Sequence, residues 1–410
     1  MLTKGWDTIS IIKQDTINSE LRNTWGSVDS SISYTIYDDE GTVNGKFAPW
    51  QIIEGGGGRL LRMELPIEQG NMEVNNKSFD LDGISIIIGL TLTLMPQADK
   101  SILKTQYAHI TKSPSDIPDD NEGWIVPITI TGDNGTLGAY KEVLLDSICD
   151  YLIKNPEQLI LTFAEIRLVQ DGCPDWLLPK RNAYSYLDTG YLCVLAVCDD
   201  RSITDLPLDI DVSGLTSGSD SYFVVSSKTV LKNMILPSVI SLYENASIND
   251  FDVQDLCFYN TRELDMHDVK SGAIYYTPVV RSGGNQGEIV GDEIAVYYDG
   301  YCDMYLGIDM YWKGYVKMSV SLNNGVISFN KVDDNFSHDE DIPWYLKWLS
   351  LAVMAITEIV VAIISDDLID KIKEQSSSID TSNINTVEWF GVRGNVTAAN
   401  LNESLILQYT

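Results

Sequence analysis

The feature of this sequence that most restricts its fold is a set of long segments in which every second residue is apolar. In residues 84–94, isoleucine and leucine alternate with serine, glycine and threonine. Residues 304–312 and 316–322 alternate in the same way before an Asn324–Gly325 turn. Successive side chains of a strand point to opposite faces, so these segments predict long antiparallel strands with one apolar face and one wet face.

Helical periodicity interrupts the strands at four places, the first two of which lie in the first half. The first helix is predicted to begin at Asp7 as its N-cap, with Trp6 and Ile11 at the spacing of a hydrophobic staple. Its apolar face comprises Ile9, Ile12, Ile17 and Leu21. The second helix is predicted over residues 139–155, where Leu144 and Ile148 share one face and Pro156 ends the helix.

The other two predicted helices lie in the second half. The third spans residues 227–243, contains Met234, and should be kinked by the interior Pro237, which has no amide hydrogen to donate. The fourth spans residues 343–374 and is the most apolar segment of the chain. Its apolar stripe consists of Leu349, Val353, Ile356, Val360 and Ile363. The part without Lys or Arg, residues 349–364, contains Glu358 and is shorter than the about 20 residues that a bilayer requires. We therefore expect a core helix wrapped by sheet, with membrane insertion as a minor alternative.

The order of helix, long antiparallel meander, helix and further strands occurs twice. This repetition predicts two related halves, residues 1–210 and 211–410, with the boundary in the Asp-, Ser- and Gly-rich stretch 205–220. Long strands with one apolar face must cover that face, so each half should curl its sheet around its long helices. The expected fold class is α+β.

Charge and cysteine content exclude several classes of protein. Twenty-eight Lys and Arg against 59 Asp and Glu give a net charge of −31, and there is no basic patch of the kind that binds nucleic acid. The same charge should repel anionic bilayers at neutral pH. Six scattered cysteines predict free thiols. Residues 1–6 do not form a signal peptide, so we expect synthesis in the cytosol and export by another route.

Residues for catalysis or metal binding are few. The chain has three histidines and none of the hydrolase or zinc-protease motifs, so no enzyme activity, metal or cofactor is predicted. The acidic residues within 333–341 do not match a calcium loop and are predicted to form a solvated loop. The glycine run 55–58 is predicted to be a turn or bulge. The pairs Tyr275–Tyr276 and Tyr297–Tyr298 could stack on sugars, which leaves an enzyme or lectin acting on carbohydrate as a third alternative, but strand packing is the commoner role of such pairs.

Apolar surface is what remains for function. The helices and sheet faces could fill each other completely, which is the default for protein interiors, or leave a tubular groove for acyl chains. Methionines such as Met310, Met318 and Met354 favour an adaptable pocket. The candidate lipid-binding residues are Ile12, Ile17, Leu21, Leu144, Ile148, Met234, Met310, Val353, Ile356, Val360 and Ile363.

Several short motifs along the chain resemble a known family. They are Gly5-Trp6-Asp7, Trp50-x-Ile52-Ile53-x-Gly55-Gly56 with Leu61-Arg62, Pro66-Ile67 with Gly70, Leu81-x-Gly83, and Asn233-Met234-Ile235-Leu236-Pro237. Together they resemble the "P-forty-seven" accessory proteins, which are encoded beside botulinum neurotoxins and related insecticidal toxins in orfX-type clusters.

This resemblance implies a fold and a role. The fold would be that of the tubular lipid-binding (TULIP) superfamily, in two tandem modules arranged as in bactericidal/permeability-increasing protein. The role would be that of a non-enzymatic toxin accessory protein, released with the toxin, that binds a phosphoinositide or another acyl-chain lipid through an apolar groove. The alternative is a protein with a filled core that assembles with sibling accessory proteins or the toxin.

Overall fold

The fold is dominated by β-strands, which form three large sheets and one isolated hairpin. The computed structural model describes residues 3–36, 41–118, 122–215, 218–304, 308–341, 350–377, 379–392 and 394–410. The strands of the first half are β1 (Thr8–Lys13), β2 (Ser31–Ile36), β3 (Gly41–Phe47), β4 (Gln51–Gly57), β5 (Leu60–Val74), β6 (Lys77–Asp80), β7 (Ser85–Pro96), β8 (Lys100–Thr105), β9 (His109–Ile110), β10 (Trp124–Thr131), β11 (Thr162–Arg167), β12 (Arg181–Leu187) and β13 (Tyr191–Val197).

The strands of the second half include the longest antiparallel pairs of the structure. They are β14 (Ser221–Val225), β15 (Phe251–Val253), β16 (Cys257–Asn260), β17 (Leu264–Asp265), β18 (Val269–Ser271), β19 (Ile274–Tyr276), β20 (Val279–Val290), β21 (Glu293–Met304), β22 (Ile308–Asn323), β23 (Val326–Asp341), β24 (Val387–Trp389), β25 (Val396–Leu401) and β26 (Leu405–Tyr409). With only a few helices among these strands, the chain belongs to the α+β class, as predicted.

Six α-helical segments accompany the strands in the described residues. They are α1 (Gln14–Thr24), α2 (Lys141–Lys154), α3 (Ser227–Val230), α4 (Leu236–Ile240), α5 (Ser350–Ala362) and α6 (Leu368–Ser377). The second predicted helix is confirmed as α2. The third is confirmed as α3 and α4, which are joined by a π-helical turn, Leu231–Ile235, immediately before Pro237. The fourth is confirmed over α5 and α6, also with a π-helical turn between them, Ile363–Asp367. Its predicted start, including Leu349, lies outside the described residues.

The predicted start of the first helix is wrong. Residues 8–13 form strand β1 between β13 and β14, and the helix begins only at Gln14, so Ile9 and Ile12 lie on a strand. The alternation and the β-branched residues of this segment favour a strand. Asp7 is not an N-cap. Its carboxylate accepts a hydrogen bond from the Cys198 amide at 2.8 Å and pairs with Arg201 at 2.8 Å.

The first large sheet has eleven strands and encloses the core of the first half. Its main path runs β2-β3-β5-β7-β8-β11-β24, and β4, β6, β9 and β10 pair off this path. Helices α1 and α2 pack on it through Ile17, Leu21, Leu144 and Ile148. The glycine run at 55–58 lies at the end of β4, where the register with β5 shifts between Ile53 and Gly57, which confirms the bulge of that prediction.

One prediction about this sheet is wrong, because strand β7 has no wet face. Thr91 and Thr93 of the predicted polar face, and Ile87 on the same side of the strand, are as fully buried as the neighbouring leucines. The side chains of Leu60 and Val126 close over Gly89, where a Cβ atom would lie 3.1 Å from Leu60 and 3.3 Å from Val126. The serine, glycine and threonine residues therefore occur here because their small side chains allow close packing. They do not form a face in contact with water.

The second sheet joins the two halves of the chain. Its strand order is β12-β13-β1-β14-β26-β25, which combines strands from both sides of the boundary predicted at 205–220. Strand β24 in turn pairs with β11 of the first sheet, and the Arg167 guanidinium lies 2.8 Å from both carboxylate oxygens of Glu388 across that pair. The division into modules 1–210 and 211–410 stays a prediction.

The third sheet contains the long ribbon β20–β23, with strand order β15-β16-β20-β21-β22-β23. Its predicted alternation is confirmed in β22, where Met310, Val316 and Met318 are buried and Tyr311 is exposed. The Asn324–Gly325 turn joins β22 to β23 with φ angles of 51° and 78°. Residue 306 of the predicted alternation lies outside the described residues.

The acidic stretch that was predicted to be a solvated loop is a strand. Residues 333–341 continue β23, paired with β22 as far as Asp341. The pairing places Asp333 opposite Lys317, and the Tyr315 hydroxyl donates a hydrogen bond to Asp333 at 2.8 Å, which compensates the carboxylates. Throughout the described ranges, none of the helices combines the length and apolarity needed to span a bilayer.

Candidate apolar groove at the edge of the third sheet

A groove lies between helix α5 and strand β23, which is the edge strand of the third sheet. It has a volume of about 400 Å³. Helix α5 contributes Met354, Thr357, Glu358, Val361 and Ala362, the following π-helical turn contributes Ser365 and Asp366, and the strand contributes Lys331, Asp334 and His338. Among the described residues, the sheet ends at β23, and no strand beyond β23 covers this side of α5.

The groove exposes apolar groups because α5 is apolar around most of its circumference. One face of α5, with Val353, Ile356 and Val360, is buried in the core. On other faces, Met354 is 47 % exposed and Ile359 is 37 % exposed. Large apolar side chains exposed on neighbouring turns of a helix are typical of surfaces that bind a ligand or partner.

The floor of the groove separates it from the core. The hydroxyl of Thr357 lies 3.0 Å from the Val353 carbonyl oxygen and 2.9 Å from the sulfur of Met310. Thr357 itself is buried. A ligand in the groove would thus contact one side of α5, while the core stripe lies on the other side.

One end of the groove is charged and is held by a network around Lys331. The Lys331 ammonium lies 3.0 Å from Asp366, 3.3 Å from Asp334 and 2.9 Å from the Ser365 hydroxyl. The hydrogen bond from Ser365 and the pairing with Lys331 lower the pKa of Asp334, although partial burial opposes this. The hydrogen bond to Asp366, together with the nearby Asp334 charge, raises the pKa of Lys331. Lys331 and Asp334 therefore stay ionised at neutral pH, and the network holds the π-helical turn 363–367 against β23.

The structure collects the eleven sequence-predicted site residues into two groups. Ile12, Ile17, Leu21, Leu144 and Ile148 lie in the core under the first sheet. Met234, Met310, Val353, Ile356 and Val360 lie in the core under the third sheet, with Ile363 packed against it and half-buried. Apart from Ile363, none is more than 3 % exposed, so an acyl chain would reach them only by displacing other side chains. Their assignment to lipid stays a prediction.

Most of the groove residues, among them Val361, Ala362 and Ser365, are not among the site residues predicted from the sequence. The predicted residues of this helix lie on its 3-4 stripe, which is the part that packs into the core. The available sequence feature was the presence of apolar residues such as Met354 outside that stripe, since an ordinary amphipathic helix has polar residues there.

The remaining histidines, cysteines and carboxylates of the described chain are not grouped as metal ligands. Among the residues that the structure describes, no three His, Cys, Asp or Glu side chains are grouped so as to hold a metal ion. The six cysteines are unpaired thiols, as predicted. Burial raises the pKa of Cys149, Cys173 and Cys302 to about 12, so these thiols are protonated and poor nucleophiles at neutral pH.

Comparison with known sequences identifies similar proteins over most of the chain. A family model described as OrfX-like, "Protein OrfX2/OrfX3/P47", matches residues 3–384. Protein P47 of Clostridium botulinum (strain Kyoto / Type A2) is 24 % identical over 298 residues, which cover 69 % of this chain and 68 % of that protein. Protein OrfX3 of Paraclostridium bifermentans is 22 % identical over 281 residues, covering 61 % of this chain and 57 % of that protein.

Two solved structures share the fold. P47 from Clostridium botulinum A2 superposes with a TM-score of 0.74 at 21 % identity, covering 100 % of this chain and 98 % of that chain. P47 of Clostridium botulinum E1 superposes with a TM-score of 0.76 at 20 % identity, covering 99 % of both chains. At such low identity, the likeness establishes the fold and leaves the function to be argued from the surface.

Proposed function

Because the chain belongs to the OrfX-like family of OrfX2, OrfX3 and P47 proteins, we propose that it is a non-enzymatic accessory protein of a clostridial-type toxin cluster that binds lipid. We place the lipid-contacting surface in the groove between α5 and β23. In this proposal, residues 1–210 and 211–410 are two TULIP-like modules. The protein is made in the bacterial cytosol and released with the toxin.

The observation that carries the proposal is the exposed apolar side of α5 at an open sheet edge. The groove has a volume within the range of ligand sites, and its apolar lining includes Met354, Val361 and Ala362. A methionine can adapt its shape to a flexible chain at low cost. The ionised groups around Lys331 at one end would face the polar end of a lipid whose acyl chain lies along the helix.

The charge of the protein sets the conditions for membrane binding. With a net charge of −31, the protein is repelled by anionic bilayers at neutral pH. Asp and Glu side chains begin to protonate below about pH 5, and the repulsion then weakens. Binding to anionic vesicles should therefore increase as the pH falls.

Vesicle sedimentation at pH 7.5 and pH 4.5 tests this proposal. The wild-type protein should sediment with phosphatidylcholine/phosphatidylserine vesicles more at pH 4.5 than at pH 7.5. Val361→Glu, which places a carboxylate in the groove, should bind several-fold less at both pH values. The matched control is Val169→Glu, at an exposed valine outside the groove, which should bind like the wild type. Equal binding by the two variants, or binding that does not change with pH, would contradict the proposal.

A second candidate function is favoured by the filled interior. Ten of the eleven predicted lipid-contacting side chains are at most 3 % exposed, as in a core packed for stability alone. In this alternative the protein is an assembly component, and the exposed side of α5 binds a sibling accessory protein or the toxin. It predicts a stable complex in size-exclusion chromatography with those proteins, weakened by Val361→Glu, and no lipid retained through purification.

A further inference from the structure

The solvent face of the ribbon β20–β23 carries a second groove, whose lining differs from that of the apolar groove. It has a volume of about 490 Å³. Strand register places four of its lining residues in one row across the ribbon, in the order Gln286, Tyr297, Tyr315 and Asn335. The same face also exposes Tyr311, so it is unusually rich in tyrosine for a face in contact with water.

The depression in this face is produced by a glycine bulge. The β20–β21 register is interrupted between Val280 and Asn285, and the interruption contains Gly283, with φ at 72°, and Gly284. A Cβ atom on Gly284 would lie 2.3 Å from the Asp299 carbonyl oxygen, so this close approach requires glycine. With no side chains here, the floor of the groove is backbone and the neighbouring side chains form its walls.

The aromatic wall is held in place before any ligand binds. The rings of Tyr297 and Tyr315 are neighbours on adjacent strands, with centroids 6.2 Å apart. The Tyr315 hydroxyl donates to Asp333 at 2.8 Å, and the Asn285 amide donates to the Tyr297 carbonyl at 3.0 Å. Tyrosine offers a flat apolar face with little entropy to lose, and fixing the rings in advance lowers the cost of binding.

The polar lining is unused within the protein. In the described part of the chain, the side chains of Gln286, Asn335 and Ser337 have no hydrogen-bond partner. Two carboxamides and a hydroxyl can both donate and accept hydrogen bonds, which suits a ligand covered with hydroxyl groups. An aromatic wall beside such groups is the combination that recognises a sugar ring, with its apolar C–H face and polar rim.

The charges in and beside the groove disfavour an anionic ligand. Asp299 pairs with Arg281 at 2.8 Å, so that guanidinium is already compensated. Lys313 lies opposite Asp299 in the β21–β22 register and in the field of a protein with net charge −31. We propose that this groove is a binding site for a neutral oligosaccharide, with the sugar ring stacked on Tyr315 and hydrogen-bonded by Gln286 and Asn335.

A glycan array carrying neutral, sialylated and phosphorylated oligosaccharides, probed with the intact protein, tests the proposal. We expect binding to one or more neutral glycans. We do not expect a protein that binds anionic glycans alone. Titration calorimetry with N-acetyllactosamine, maltotriose and chitotriose then gives affinities for soluble neutral probes. Tyr315→Ala and Asn335→Ala should each weaken the binding at least tenfold, the latter by removing only an unpaired amide.

The control variant is Tyr275→Ala, at an exposed tyrosine on the separate β18–β19 hairpin, which should bind glycan like the wild type. A silent array, binding to anionic glycans alone, or binding that survives both groove variants would overturn the proposal. Vesicle sedimentation of Tyr315→Ala keeps the two proposals distinct, because the lipid groove predicts unchanged vesicle binding whatever the glycan result.

Discussion

Strands β7 and β22 have the same alternating sequence pattern but different surroundings. In β7 both sets of side chains are buried, and the side chains of Leu60 and Val126 close over Gly89 on the face predicted to be wet. In β22 one set is buried against α5, while the other, with Tyr311 and Lys313, faces water. An alternating pattern therefore identifies a strand and one apolar face, but the identity of the second face depends on what packs on it. The groups available to ligands lie on the wet side of the ribbon and at its edge.

The largest expected change in the free energy of unfolding tests whether the second face of β7 is buried while that of β22 is in contact with water. Ile87→Ala in β7 should lower the free energy of unfolding by about 2–5 kcal/mol, since it leaves a cavity beneath the covering side chains. Tyr311→Ala on the wet face of β22 should cost less than about 1 kcal/mol. Urea denaturation of both variants measures the difference. Equal losses would mean that the two strands are not distinguished by their second face.

A smaller loss of stability is expected where β24, from the second half of the chain, pairs with β11 of the first sheet. Glu388→Ala removes the carboxylate that pairs with Arg167 across β11 and β24, and should cost about 1–2 kcal/mol, since the guanidinium is only partly hydrated. Glu293→Ala is the matched change within the ribbon, where the carboxylate pairs with Lys317 at 3.5 Å between half-exposed side chains. It should be nearly neutral in the same urea titration. A larger loss for Glu293→Ala would contradict the assigned weights of the two pairs.

The smallest effect concerns acid stability at the β15 edge of the third sheet. Hydrogen bonds from Arg262 and from the Ser247 amide lower the pKa of Asp250 to about 2. The pKa of this carboxyl group is thus lower in the folded state than in the unfolded chain, in which the pKa of Asp is near 3.9. Its stabilising contribution is present above pH 4 and is lost as the pH falls toward 2. Asp250→Asn should flatten the fall in thermal midpoint over that interval, and an unchanged slope would argue against the pairing.

Local periodicity was sufficient to predict the helices whose apolar residues recur at 3-4 spacing. Helix α2 before Pro156 and the kinked α3–α4 segment at Pro237 follow from residues close together in sequence. The first helix was misplaced because a short run such as residues 8–13 fits either a helix face or a strand. Its position between β13 and β14 is decided by strands about 180 to 220 residues away in the sequence.

The candidate groove was less predictable than the core beside it. The stripe of Val353, Ile356 and Val360 is visible from spacing alone, but it forms the part of α5 that packs inward. Which side of α5 stays open depends on β23 being an edge strand, and edge position is a property of the whole sheet. The glycine bulge at 283–284 was invisible for the same reason, because two glycines in a strand do not reveal which face they deepen.

The central claim is that the open side of α5 holds an apolar ligand while the interior is filled. Native mass spectrometry of the wild-type protein and Val361→Glu, both purified without detergent, tests it most directly, with organic extraction to identify any bound species. The account predicts a lipid-sized mass increment on the wild-type protein that is absent from Val361→Glu. A wild-type spectrum without such an increment, or an equal increment on the variant, would contradict it.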